Sequence, residues 1–469
     1  MLFSSMTFIF LFLPILCALY LVICKFFPQT KYKNYLLLLA SILFYAWGEP
    51  RYVVIMLATI TINYIGAICL DRFSKYKKRI LALTVLMDLS FLIYFKYFNF
   101  IIDNINSLFT ADFNVIQVIM PIGISFYTFQ AMSYLVDVYR GTVKVQKDIT
   151  KLALYICLFP QLIAGPIVQY SDVANQIEDR TENFDKITYG IKRFIVGLSK
   201  KVLIANTMGA VADAIFDTPV TSFSPFIAWI GAIAYSFQLF YDFSGYSDMA
   251  IGLGSIFGFR FLENFNYPYI SKSITEFWRR WHISLSSWFK NYLYIPLGGN
   301  RKGMMRTYFN LFIVFLATGI WHGASWNFVI WGLWHGLFNI FEKLTGWHKV
   351  ESKKVAPIQH IYALFIVVIG WVMFRSETIT YAFDYIKNMF GLLRGVDPLY
   401  DLNYYIGNIE IFVFVVATLC AMPIFRNCIL QPKNKIVHFL LNLWLIIIFL
   451  LSASSIAAST YNPFIYFRF

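Results

Sequence analysis

Long apolar runs, broken by short polar stretches, follow one another from residue 7 to residue 451. A bilayer-spanning helix needs about 20 mostly apolar residues. The pattern predicts such helices over 7–24, 52–70, 80–95, 226–240, 308–320, 358–374, 409–424 and 436–451. Shorter or interrupted apolar runs lie at 34–47, 115–138, 152–168, 187–205, 249–261 and 327–341. Together they predict eleven to fourteen membrane segments, some of them re-entrant. Strand-like alternation and long Gly/Ser/Pro linkers are absent. In lipid only helices or closed barrels satisfy the backbone, so the expected fold class is an all-α, polytopic integral membrane protein. The expected organisation is one membrane domain over 1–469, with a core at about 115–376 and C-terminal helices over 377–469.

Some interruptions carry Pro and Gly: Met120-Pro121-Ile122-Gly123, Phe159-Pro160 and Gly165-Pro166-Ile167. Such breaks are tolerated where protein or an internal cavity takes up the freed backbone groups. They fit either a body with a polar tunnel or simple kinks in a bundle. From 264 to 306 the pattern changes to FWRRWHISLSSWFKNYLYIPLGGNRKG, in which cations alternate with aromatic residues. That mixture reads as an amphipathic or re-entrant segment at the membrane surface. It could receive the phosphates of a cytosolic ligand or simply anchor in lipid headgroups.

Composition agrees with the membrane reading. Of 469 residues, 59% are hydrophobic and only 14% charged, against about 25% in soluble domains. The net charge of +14 does not point to nucleic acid, because the cations cluster in short loops. Lys25, Lys31 and Lys33 separate the first two spans, and Arg72, Lys75, Lys77, Lys78 and Arg79 the third and fourth. The positive-inside rule puts both loops in the cytoplasm and the N-terminus outside. Residues 1–24 lack Lys and Arg and so read as a retained first helix rather than a cleaved leader. Six cysteines without a C-x-x-C pair, Cys428 among them, indicate neither a disulfide framework nor a zinc site.

Candidate chemistry concentrates between Trp278 and Gly336, which holds three of the six histidines and seven of the twelve tryptophans. A charged group at bilayer depth costs roughly 2.5 kcal/mol or more, so an intramembrane ionisable residue is a functional candidate by default. His322, flanked by Gly323, Ala324 and Ser325, has room for a ligand beside it. His335 would point about 220° away from it on one unbroken helix, which favours a structural role. His282 can reach His322 only through tertiary folding. His348, His360 and His438 lie near span ends and receive no role. Asp242 and Asp248 adjoin an apolar run and are expected to orient a cation such as an arginine of 279–306. Asp88 stands unexplained in the middle of a span. No short-range metal-ligand spacing, G-x-S-x-G elbow or Walker loop is present.

The succession FYTFQAMSYLVDVYRG, FPQLIAGPIVQY, YDFSGYSDMAIG, FWRRWHISLSSWFKNYLYIPLGGNRKG and WHGASWNFVIWGLWHG resembles the membrane-bound O-acyltransferase (MBOAT) family. More narrowly, it is similar to the bacterial branch that includes the alginate O-acetyltransferases (AlgI-like) and related polysaccharide and peptidoglycan O-acetylation proteins. The likeness runs from the first residues to Arg375, and the tail matches less distinctively. The resemblance implies a helical bundle around a central tunnel, with His322 as the catalytic histidine and His282 as its partner. Distant relatives carry Asn at the latter position.

It further implies an acyl thioester donor, acetyl-CoA, used as substrate with no permanently bound cofactor or metal. Arg279, Arg280, Lys290 and Arg301 are then candidates for holding the donor's phosphates. A glycan acceptor and a secreted or membrane-anchored SGNH/GDSL-type acetyltransferase partner follow from the same resemblance, as does location in the bacterial inner membrane. Two rival readings remain at this level. One is D-alanyl transfer to teichoic acid from a carrier-protein thioester. The other is a non-enzymatic acyl or glycan transporter, against which stands the absence of duplicated halves.

Overall fold

The computed structural model describes residues 1–109, 113, 118–163, 165–393, 397–425, 435–459, 461–463 and 465. Every regular element among them is helical. Eight helices are long and apolar enough to cross a membrane: Phe8–Phe26, Val53–Arg72, Ser74–Phe109, Phe184–Phe216, Pro225–Ile256, Met304–His322, Ala356–Arg375 and Lys435–Ala458. Thr30–Gly48, Ile124–Arg140 and Trp326–Thr345 add further helices. Large apolar residues such as Phe10, Leu21, Leu86 and Ile446 are exposed on the spanning helices. Water would penalise that surface and lipid would not, as expected of a multi-pass membrane protein. The segment expected over 115–138 begins as a helix only at Ile124, after Pro121 and Gly123; residues 115–117 lie outside the described residues, as does Cys428.

The chain divides into two compact units. The first comprises Met1–Phe194 and Ser247–Leu262. In it Lys33, one of the cations that marked the first loop, is buried and bonded to Glu182 at 2.7 Å. The Arg180 guanidinium lies over the Phe259 ring and donates to the Phe257 carbonyl and the Asn34 side chain. Burial alone would raise the Glu182 carboxyl, but hydrogen bonds from Lys33 and Tyr20 outweigh it and hold the group below its ordinary range. The mid-span Asp88 is also buried, and the Asn63 amide donates to it at 2.8 Å.

The second unit comprises Ile195–Tyr246 and Glu263–Phe469. The 226–240 run and the first part of the 249–261 run, expected as separate segments, belong to one continuous helix, Pro225–Ile256. It passes straight through the polar stretch because its carboxylates are neutralised from a preceding helix. Asp242 pairs with Lys201 at 2.8 Å within the second unit, and Asp248 with Arg193 at 2.6 Å within the first. An arginine of 279–306 is not the partner of either pair.

Helices Met304–His322 and Trp326–Thr345 form a close-packed hairpin. A Cβ built on Gly332 would lie 2.4 Å from the Phe315 carbonyl and 2.9 Å from the Gly319 Cα. Small residues let helix backbones approach this closely in a membrane. Gly332→Ala is therefore expected to push the hairpin apart and lower the thermal unfolding temperature in detergent. An unchanged melting curve would show that the contact tolerates a methyl group.

Candidate functional site

The residues from Asn264 to Tyr294 fold as short pieces: α1 (Ile274–Arg280), α2 (Ile283–Phe289) and a π-helical turn at Lys290–Tyr294. Their aromatic side chains do not face lipid headgroups. Phe277, Trp278, Trp281, Leu285, Trp288 and Phe289 are all buried. The segment is amphipathic, with its apolar face packed on protein and Arg279 and Lys290 exposed.

The N-terminus of α1 is held twice. The Ser273 side chain accepts from the Glu276 amide at 2.9 Å. Glu342, fully buried on Trp326–Thr345, accepts the Ile274 and Thr275 amides at 2.5 and 2.9 Å. A carboxylate suits this place because the first amides of a helix are orphan donors at its positive end.

Between α1 and α2 stands His282, with φ 44° and ψ 54°. It is wholly buried, and Phe243 packs edge-on against its ring at 4.5 Å between centroids. Burial pushes its imidazole down to about 3, so the ring is neutral at physiological pH.

His322 is the last residue of α3 (Met304–His322), and α4 (Trp326–Thr345) begins four residues later. The turn between them needs Gly323, where a Cβ would fall 2.1 Å from the Phe328 ring. His322 is 6% exposed and ringed by Trp321, Trp331 and Phe374 at 5.0, 4.9 and 5.4 Å. Tertiary folding brings His282 and His322 together, 6.5 Å between ring centroids and 67° between planes. The rings are too far apart to hydrogen-bond directly, yet close enough for one reacting group to lie within reach of both.

The 220° estimate for His335 fails because the helix breaks after His322. His335 instead lies across Trp331, which packs edge-on against both histidines at 4.9 and 5.2 Å. Trp278 and Phe277 complete an aromatic enclosure around it. The remaining histidines are tied at helix ends or exposed: His348 to the Glu342 carbonyl, His360 to the Ser271 carbonyl, and His438 beside Asn442.

Of the candidate cations, Arg279, Lys290 and Arg301 are exposed. Arg280 is engaged instead, with Glu276 at 2.8 Å and the Asn266 carbonyl at 3.0 Å. Among the described residues no cluster of three or more His, Cys, Asp or Glu could hold a metal ion.

The structure is thus that of a polytopic helical membrane protein that brings two buried histidines together inside an aromatic wall. Comparison with known proteins supplies its class. Residues 143–383 match the MBOAT, membrane-bound O-acyltransferase family. A probable alginate O-acetylase of Pseudomonas putida is 40% identical over the whole length of both chains. A peptidoglycan O-acetyltransferase of Helicobacter pylori is 34% identical over 92% of this chain and 88% of its own. A teichoic acid D-alanyltransferase of Bacillus subtilis is more distant, at 30% over 55% and 69%. The chain belongs to the MBOAT family, in the branch similar to the alginate O-acetylases, and is an acyltransferase.

Two residues of the site escaped the sequence reading, Asn264 and Glu342. Asn264 sits in a short polar stretch and Glu342 is one acid in an apolar helix, and neither position signals that its partner is a distant helix end.

Proposed function

We propose that the chain transfers an acetyl group from a cytosolic thioester, acetyl-CoA, across the membrane for O-acetylation of an exported or cell-surface polysaccharide. The observation that carries this reading is the approach of His282 to His322 to 6.5 Å inside an aromatic wall. Neutral His322 acts as general base and takes the proton of the acceptor hydroxyl as its oxygen attacks the thioester carbonyl. The C–O bond forms, the C–S bond breaks, and the thiolate leaves to be protonated. His282, neutral and buried, donates a ring N–H to the developing oxyanion. Trp321, Trp331 and Phe374 exclude the water that would otherwise hydrolyse the thioester. In this reading the enzyme sits in the bacterial inner membrane with its N-terminus outside, around a tunnel open to both faces. It hands the acyl group on through an SGNH/GDSL-type acetyltransferase outside the membrane.

The similarity to alginate and peptidoglycan O-acetylating enzymes along nearly the whole chain supports an acetyl group and a glycan acceptor. The D-alanyl alternative rests on a match to only about half of the chain. The test is incubation of the purified protein with radiolabelled acetyl-CoA and oligosaccharide acceptors, with D-alanyl carrier protein in a parallel arm. Label from acetyl-CoA alone supports the reading, and label from the carrier protein alone overturns it.

Arg279, Lys290 and Arg301 supply the cations for the donor's phosphates. The double variant Arg279→Ala/Lys290→Ala is expected to raise the donor KM about tenfold with kcat little changed, since it removes ground-state binding. Unchanged saturation kinetics would dismiss that role.

The pH profile separates the two histidines. His282 stays neutral between roughly pH 5 and 8, whereas the base must lose its proton to work. Because burial holds the His282 imidazole at about 3, any acid limb of the rate between about pH 5 and 8 is expected to persist in His282→Asn. If the limb vanishes in the variant, the two roles are reversed.

A further inference from the structure

His282 occupies the N-cap position of α2 and makes no side-chain cap bond there. Its left-handed backbone is one of two positive-φ non-glycine positions among the described residues. L-residues rarely adopt that conformation, and it persists where the surroundings over-determine it. Here they do so through one residue. The Asn264 carbonyl accepts the Ile283 amide at 2.9 Å. Asn264 Oδ1 accepts both the Ser284 amide at 3.1 Å and the Ser284 hydroxyl at 2.9 Å. Asn264 thus caps α2 in trans, from eighteen positions earlier, and is itself 1% exposed. An amide suits the place because it accepts without burying a negative charge beside an imidazole.

We propose that Asn264 is a positioning residue for acyl transfer. Its three bonds lock the peptide after His282, and so hold the imidazole edge-on to Phe243 and across from His322. The proposal rests on the reading of His282 as the partner of His322. Without the side chain the Ser284 amide and hydroxyl lose their shared acceptor and only the backbone bond to the Ile283 amide remains, so the backbone relaxes toward ordinary φ and the ring swings away from the reacting group. Binding of the donor depends on other residues and is little affected, so the loss falls on turnover.

The experiment measures initial rates of label transfer from acetyl-CoA across donor concentrations, with thermal unfolding followed in the same micelles. The variants are Asn264→Ala, Ser284→Ala, His282→Ala and the doubles of each of the first two with His282→Ala. Asn264→Ala is expected to lower kcat roughly 10- to 30-fold, with donor KM within about twofold, as misplacement of a catalytic group does. Ser284→Ala keeps the side-chain volume and removes one of the two bonds to Oδ1, so a loss of about two- to fivefold is expected and folding is safe. In the His282→Ala background neither change is expected to alter the residual kcat by more than about twofold, because there is no imidazole left to position.

Losses that multiply in the doubles would show a general structural role and overturn the proposal. So would wild-type kcat in Asn264→Ala and Ser284→Ala while His282→Ala is impaired. If Asn264→Ala does not fold, the Ser284→Ala pair decides alone. An unimpaired His282→Ala would remove the underlying reading of His282, and the positioning role with it.

Discussion

Alanine in place of His322 is expected to reduce cell-surface O-acetylation by about 10²- to 10⁴-fold, the usual worth of general base catalysis. The ring is a titratable group placed at the end of α3 within reach of His282. Its neighbours Trp321, Trp331 and Phe374 are large and buried, and Trp331 packs against Phe374 as well as against the imidazole, so the shell keeps its shape when the imidazole is trimmed. Membrane insertion and chain abundance should therefore stay near wild type. The check is O-acetyl content of the isolated glycan alongside an immunoblot of the membrane fraction. Full O-acetylation with normal abundance would remove His322 from the chemistry.

The second large effect is on stability. Lys201 and Asp242 form an ion pair whose side chains are 3% and 2% exposed. Lys201 also donates to Asn206 Oδ1 and to the Pro463 carbonyl, and the Asp242 carboxylate accepts the Ile465 amide at 3.0 Å. The pair is the point at which the end of the chain is fastened to Pro225–Ile256. Asp242→Ala leaves a buried ammonium without its counter-charge, which typically costs about 3–5 kcal/mol. The double variant Lys201→Met/Asp242→Leu, which removes both charges, is expected to recover most of that loss. Thermal unfolding in detergent reads both. A single variant that melts with the wild type would mean that the lysine finds another partner.

Much of the helical framework was legible because apolar length alone reports a membrane span. The ends and joins were less so. The break between 240 and 249 was inferred from a polar stretch, and the helix runs on because the compensating cations lie elsewhere. Arg193 and Lys201 stand eight positions apart on one preceding helical stretch, facing carboxylates six apart. That correspondence is a weak signal in a sequence and an obvious one in three dimensions. Lys33 misled in a similar way, since it counts as a loop cation until its buried bond to Glu182 is seen.

At the site, His322 was visible from its depth and its small neighbours. Its relation to His282 and His335 depends on two chain breaks, at Gly323 and at His282 itself. Hydrophobic periodicity does not encode such breaks. Asn264 and Glu342 were hidden for a further reason: each caps a helix that its own local sequence does not contain.

The central claim is that this chain itself draws an acyl group from a thioester at the His322–His282 pair. It is tested most directly by the rate of free-thiol release from acetyl-CoA by the purified protein with acceptor present. Wild type is predicted to release thiol in step with acceptor acetylation, His322→Ala at the uncatalysed background, and His282→Ala at an intermediate rate. Thiol release at the wild-type rate by both variants would contradict the account.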